Sequence, residues 1–376
     1  MRRLRTFWQR ISDGIAIQQL WAQFRAESRA SYELYSNEVH WTRTAGESRW
    51  RRFWRVARGL FWSMMMKLSP GRRVLFLISL VFLFFPAISV DTGHNQFDTD
   101  GLRFFGGIGL LVLLALELSD RVTMKRDLEI AREIQGWLMP AAAPEVPGVD
   151  IAFMTRPANT VAGDYYDAFF RPATPEQNER LLVVVADVAG KSVPAALLMA
   201  TLQASLRTLA ALPGSLLELA GRLNQYACAQ NLGGRRFTTA FLAELEPTTG
   251  GLSYVNAGHN WPVLRRVSGD IERLETGGLP LGITPGAHYE FGTATLVPGD
   301  LLFIFTDGLV EAENDREEEY GEQRMLGVLS SAGGSAGEVL RQLMSSVDTF
   351  VGLTRQHDDI TCLVLRMFKP SEARVP

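Results

Sequence analysis

Two uncharged apolar runs dominate the first third of the chain: Val74 to Val90 reads VLFLISLVFLFFPAISV, and Phe104 to Leu116 reads FFGGIGLLVLLAL. A helix that spans a bilayer needs about 20 apolar residues, with about 17 at the lower end. Between the runs lies DTGHNQFDTDG, a turn-rich loop carrying Asp91, Asp98 and Asp100. The pattern predicts a helical hairpin that crosses a membrane twice. Both runs are short and Glu117 closes the second, so a pair of buried core helices is the alternative. Asp120 to Pro140 changes period: Leu128, Ala131, Ile134 and Leu138 recur at helical spacing with charges between them. This segment predicts a helix that ends at Pro140, packed on its own copy in a dimer or on the domain that follows.

From Asp150 the apolar runs shorten and end at Gly, Asp or Asn. LLVVVADV (181–188), FTTAFLAEL (237–245), GGLSYVNAG, GDLLFIFTDG and DDITCLVLR predict β-strands. Val193 to Leu212 and Ser215 to Asn231 predict helices. Strands and helices do not alternate strictly, which points to an α+β fold with a largely antiparallel sheet. The expected organisation is a basic region (1–73), a hairpin (74–118), a linker helix (119–140), a C-terminal domain (141–368) and a tail (369–376).

Charge adds a direction to this picture. The net charge of the 376 residues is -3, yet arginines crowd the stretch before Val74. Arg72 and Arg73 flank the first run, Arg121, Lys125 and Arg126 follow the second, and residues 91–101 carry neither Lys nor Arg. By the positive-inside rule both ends face the cytoplasm. RWRRFWRVARGLFWSMMMK (49–67) predicts a basic helix at the membrane interface. A cytosolic helix packed through its aromatic face is the alternative. No zinc-ligand spacing or DNA-binding motif accompanies the arginines, which disfavours nucleic acid. Two cysteines without a CxxC pair argue against a disulfide framework or a thiolate metal site.

The candidate chemistry lies at the strand ends. Asp164 sits in VAGDYYD, Asp187 ends LLVVVAD, Asp307 ends LLFIFTD, and Asp358 begins DDITCLVL. A carboxylate at a buried strand end is costly unless it is paired or bound to a cation. Oxygen ligands without His or Cys clusters favour Mg²⁺ or Mn²⁺ over zinc. One Asp beside Gly is usually only a turn residue; the set of four carries the inference.

Residues 150–366 resemble the bacterial SpoIIE-like branch of the PPM (type 2C) metal-dependent Ser/Thr protein phosphatases. The matching words are VAGDYYD (161–167), DVAGKSVPAALLMA (187–200), FTTAFLAEL (237–245), YVNAGHNWP (254–262), GLPLGI (278–283), GDLLFIFTDGLVEAEN (299–314) and DDIT (358–361), in the family order. LEIAREIQGWLMP (128–140) resembles the helix that enters this domain. The resemblance implies a β-sandwich flanked by helices with two Mn or Mg ions at one end. It implies Asp187 as the bridging ligand, the Val188 carbonyl beside it, and Asp164, Asp307 and Asp358 completing the site. Asp187 and Asp307 would act through a metal-activated water, and Asp359 is a weaker ligand candidate. The implied substrate is a phosphorylated Ser/Thr protein, for this branch a STAS-domain anti-sigma-factor antagonist. A catalytically inactive signalling scaffold on the same fold is the second hypothesis.

Some positions depart from the family. The stretch NTVAG before Asp164 lacks the arginine with which eukaryotic members grip phosphate. Arg156 and Lys191 are the nearest cations, and each is read first as a solvated surface charge. Ser192 stands where many relatives have glycine. His259 in NAGHN is read as fixing its loop or as a general acid, and His357 as exposed. The linker helix is read as a switch on the metal loops or as a passive tether.

Overall fold

A computed structural model describes residues 49–85, 89–91, 96–98, 100–172, 179–230 and 236–368. The expectations for residues 1–48 and for the tail at 369–376 lie outside them. The chain divides into two units near residue 123.

In the first unit, α1 (Arg49–Lys67) is followed by α2 (Pro70–Phe84), the short strands β1 (Ser89–Asp91) and β2 (Gln96–Asp98), and the start of α3 (Asp100–Leu138). Arg73 donates to the carbonyls of Leu68 and Met66 at the end of α1, which closes the turn into α2. Glycines let α2 and α3 approach. A Cβ at Gly106 would lie 2.7 Å from the Ser79 carbonyl oxygen, and one at Gly109 would overlap the Ser79 hydroxyl. Small residues at such a crossing are how apolar helices associate where no hydrophobic drive exists between them. Arg72 then pairs with Glu117 at 2.9 Å and Asp120 at 2.7 Å. Val74, Leu77, Ile78, Val81 and Phe84 on α2, and Phe104, Phe105, Ile108 and Leu111 on α3, remain exposed.

Three details differ from the sequence expectation. Helix α2 stops at Phe84 rather than Val90, because Pro86 cannot continue it. The second apolar run and the linker segment are one unbroken helix, since no Gly-Pro or turn signal separates them. Arg103 at the loop end of α3 donates to the Phe85 carbonyl, so the loop side of the hairpin is not free of basic residues.

The second unit is a four-layer sandwich. One sheet has the order β10-β7-β6-β5-β4, with β11 also on β7; the other runs β3-β13-β12-β8-β9. The first comprises β4 (Tyr165–Arg171), β5 (Arg180–Val188), β6 (Thr238–Glu246), β7 (Gly251–Ala257), β10 (Gly277–Gly278) and β11 (Gly292–Thr295). The second comprises β3 (Val149–Arg156), β8 (Val263–Arg265), β9 (Ile271–Arg273), β12 (Leu301–Phe305) and β13 (Ile360–Met367). Apart from the parallel pair β10 and β7, neighbouring strands are antiparallel.

Alternate residues of each central strand face different layers. Val183, Val185 and Phe241 meet Leu302, Ile304, Leu363 and Leu365 between the sheets. Leu182, Val184 and Leu242 pack outward on α4 (Ser192–Ala210) and α5 (Leu216–Ala229). Phe303, Phe305 and Val364 pack outward on α6 (Gly321–Ser331) and α7 (Ala336–Val351). Burial on both faces is why these strands read as continuous apolar runs rather than alternating ones. Helix α4 is apolar and long enough to cross a membrane by composition, but Ala195, Met199, Leu206 and Ala210 bury it on the sheet.

Candidate metal centre

The five aspartates come together because four strand ends meet at one end of the sandwich. The ladder pairs Tyr165 with Ala186, so Asp164, one residue before β4, lies abreast of Asp187 near the end of β5. The opposite sheet contributes Thr306 and Asp307, just after β12, and Asp358 and Asp359, just before β13. One hydrogen bond crosses between the two sheets here, and a second, within one sheet, holds its donor in place. Thr306 Oγ1 donates to Asp164 Oδ2 at 2.9 Å, and the Thr361 amide donates to Thr306 Oγ1 at 2.9 Å.

Glycines allow the close approach. A Cβ at Gly163 would sit 3.1 Å from the Val188 carbonyl oxygen and 3.7 Å from Asp187 Oδ1. Asp307 opens a single 3₁₀ turn over Asp307–Leu309, and Gly308 presses that turn against the backbone of Asp358 and Asp359.

The electrostatics record the crowding. Burial, then the charge of Asp187, holds the Asp164 carboxyl well above the usual carboxylate range. Asp187 is pushed up to about 7 by burial first, then by Asp307 and Asp358. Asp307 is raised by burial and by Asp358, and nearby Glu311 by burial and by Asp307. Carboxylates that raise one another in this way favour a bound cation.

The donors are all oxygens, which fits a hard divalent ion that retains waters. Among the described residues no three His, Cys, Asp or Glu side chains are close enough to hold an ion unaided. A metal here would therefore rest on few carboxylates, the Val188 carbonyl and water.

Asp359 has a different task from its neighbour. Its Oδ1 accepts from the Ala158 amide and its Oδ2 from the Gly163 amide, both at 2.7 Å. It clamps the loop that delivers Asp164. Replacing it with asparagine puts an NH₂ against an N–H donor. The expected result is a 10- to 100-fold loss of metal affinity or turnover, the order of magnitude for a lost supporting group, with about 1–3 kcal/mol less stability. Calorimetric metal titration and thermal melting check both; unchanged affinity contradicts the clamp.

The second aspartate of the same word, Asp167, is buried and spent on structure: Arg207 holds it through two 2.7 Å hydrogen bonds. Asp358 Oδ1 accepts from the Asp359 amide at 2.9 Å.

Lys191 is not simply a solvated charge: its Nζ reaches Asp358 Oδ2 at 2.9 Å. Arg156 instead pairs with Asp348 of α7 at the surface. Ser192 adopts a left-handed backbone, φ 64°, which explains why glycine suits that position.

His259 fixes its loop. It is buried, its amide bonds Asn256 Oδ1 at 2.7 Å and its Nδ1 meets Thr239 Oγ1 at 3.0 Å. Burial lowers the ring to about 4, partly offset by the Phe305 carbonyl, so it is neutral at pH 7. His357 is exposed, with its ring 3.8 Å from Glu313.

Sequence reasoning passed over Thr306 and Gln135. Gln135 on α3 receives the Ala162 amide at 3.0 Å and donates to the Ala162 carbonyl at 2.8 Å. Gln135 thus ties the linker helix to the loop that delivers Asp164, while Ile130, Ile134 and Trp137 on the same helix stay exposed.

Residues 177–368 match the family Stage II sporulation protein E (SpoIIE). The chain belongs to the SpoIIE family. The matched segment holds Asp187, Asp307 and Asp358; Asp164 precedes it. Among relatives, Protein IcfG of Synechocystis sp. is 26% identical over 313 residues, 74% of this chain and 48% of that protein. Phosphoserine phosphatase RsbU of Bacillus subtilis is 29% identical over 250 residues, 65% of this chain and 70% of that protein. The chain thus spans about half the length of IcfG. Among solved structures, the SiaA-PP2C domain of Pseudomonas aeruginosa superposes with TM-score 0.58 at 21% identity, covering 66% of this chain and 98% of that one. The RsbU and RsbW domains of Rv1364c from Mycobacterium tuberculosis give 0.51 at 25% identity, covering 64% of each chain. The SpoIIE-family unit therefore has the fold of PP2C phosphatase domains.

Proposed function

We propose that this chain is a membrane-anchored, divalent-metal-dependent phosphatase of proteins phosphorylated on serine or threonine. The observation that carries this reading is the group of mutually repelling acids gathered at one end of a PP2C-type sandwich. Asp164, Asp187, Asp307 and Asp358, with the Val188 carbonyl, would hold two Mn²⁺ or Mg²⁺ ions, Asp187 shared between them. Such ions supply charge neutralisation at phosphate and a water acidic enough to attack it at neutral pH. The protein's own residues set that site. Asp359 fixes the Asp164 loop, Thr306 orients the Asp164 carboxylate, and neutral His259 braces the strand that carries Thr239, the partner of Asp187 in the ladder.

A cysteine nucleophile has no support: burial pushes both the Cys362 and the Cys228 thiols up, away from thiolate. The exposed apolar faces of α2 and α3 support anchoring, with the SpoIIE-family unit on the cytoplasmic side. The branch it resembles suggests a STAS-domain anti-sigma-factor antagonist as substrate.

One observation favours the second hypothesis, a scaffold without turnover: among the described residues no three His, Cys, Asp or Glu side chains already converge to hold an ion. Turnover separates the two. Purified full-length protein in detergent should release phosphate from a phosphoserine peptide when Mn²⁺ is added and stop with EDTA. Metal-independent release, or none, contradicts the phosphatase.

A further inference from the structure

Lys191 places a cation among the acids. It is the residue before α4 and has an extended backbone, φ −130°, ψ 159°. Its Nζ donates to Asp358 Oδ2 at 2.9 Å and to the His357 carbonyl at 2.8 Å. Its charge also pulls against the upward shifts of Asp307, Glu311 and Asp359. The contact joins two loops far apart in sequence: the turn that follows β5, the strand whose end holds Asp187, and the turn before β13, which carries Asp358. The pair is open to exchange, because the Lys191 side chain is 55% exposed and that of Asp358 is 38% exposed.

We propose that Lys191 is a tethered counter-cation of the metal site, seated on Asp358 in the metal-free protein and displaced when a divalent ion takes that carboxylate. The proposal rests on the metal-dependent reading above. An ammonium and a metal ion compete for the same oxygen. The ammonium is a compact charge on a flexible four-carbon stem, so it can leave Asp358 without moving the backbone, while the His357 carbonyl keeps it close. Lys191 therefore relieves repulsion among the acids when no metal is present, and it lowers the affinity for the metal that replaces it.

The test is calorimetric titration of Mn²⁺ into full-length protein in detergent, for wild type, Lys191→Met and Lys191→Arg. Lys191→Met should bind Mn²⁺ about fivefold more tightly, the upper range for a partly exposed ion pair. Lys191→Arg, which keeps the charge, should stay within about twofold of wild type on the same scale. Circular dichroism confirms folding, and Lys191→Gln replaces the methionine variant if that one misfolds. Lys191→Met binding equal to or weaker than that of a metal-binding wild type overturns the proposal alone. A wild type that neither binds Mn²⁺ nor releases phosphate contradicts the phosphatase assignment, and the proposal falls with it.

Discussion

Asp187→Asn should reduce phosphate release by about 10³-fold, since one group at a charge-stabilising centre supplies several kcal/mol, yet leave the fold intact. Without metal the variant should even be the more stable protein at high pH. The Asp187 carboxyl is pushed up to about 7 in the folded state by burial, then by Asp307 and Asp358. An unfolded aspartate titrates near about 3.9. A raised acid favours folding while it is protonated. Its contribution is complete below about pH 4 and is lost as the pH rises through about 7. Metal-free wild type should therefore lose stability across that window, and Asp187→Asn should keep it, by on the order of 2 kcal/mol at pH 8. Thermal melts in EDTA from pH 4 to pH 8 measure the difference. A gap that does not change with pH, or a variant that is less stable at pH 8, contradicts the electrostatic account of the site.

Gly308→Ala should be the most damaging small substitution near the site. A Cβ there would lie 2.1 Å from the Asp359 carbonyl oxygen and 3.3 Å from the Asp358 carbonyl carbon, and both are backbone atoms that cannot rotate away. Either the turn beginning at Asp307 or the strand entry carrying Asp358 must shift, and the two acids separate. The cost is about 3 kcal/mol, the upper range for overpacking. This lowers the melting temperature by about 6–12 °C for a domain of this size and takes metal binding with it. Gly327→Ala is the control. It lies within α6, where a Cβ meets nothing within 4 Å, and should be neutral or stabilising by up to about 1 kcal/mol. Equal melting temperatures for the two variants would show that the Gly308 contact is not rigid.

Much of the C-terminal fold is legible in the sequence because its central strands are buried on both faces. LLVVVAD and LLFIFTD stand out as apolar runs, and the aspartate that ends each marks where the sheet reaches polar surroundings. Helices α4 and α5 are bounded by turn residues and are readable for that reason. Helices α6 and α7 are not among the sequence expectations, although α7 carries a usable signal: Ser335 and Glu338 form a capping box, and Val339, Leu340, Leu343, Met344 and Val347 follow at helical spacing. Strands β8 to β11 are two to four residues long, too short for a period to show.

At the site the sequence offers candidate acids but not their division of labour. Asp358 and Asp359 look alike as adjacent letters. Only the fold turns both Asp359 oxygens onto the amides of Ala158 and Gly163. Lys191 looks like any lysine in a glycine loop, because Asp358, with which it pairs, is remote in sequence and near only after the two sheets close. Gln135 has the same character: its partner is a backbone amide on a loop of the next domain.

The most direct measurement is Mn²⁺-dependent phosphate release from a phosphoserine peptide by the wild type and by the Asp187→Asn, Asp307→Asn double variant, assayed side by side at matched folding. The account predicts sustained release by the wild type, abolished by EDTA, and none above background from the double variant. Equal release from the two proteins would contradict it.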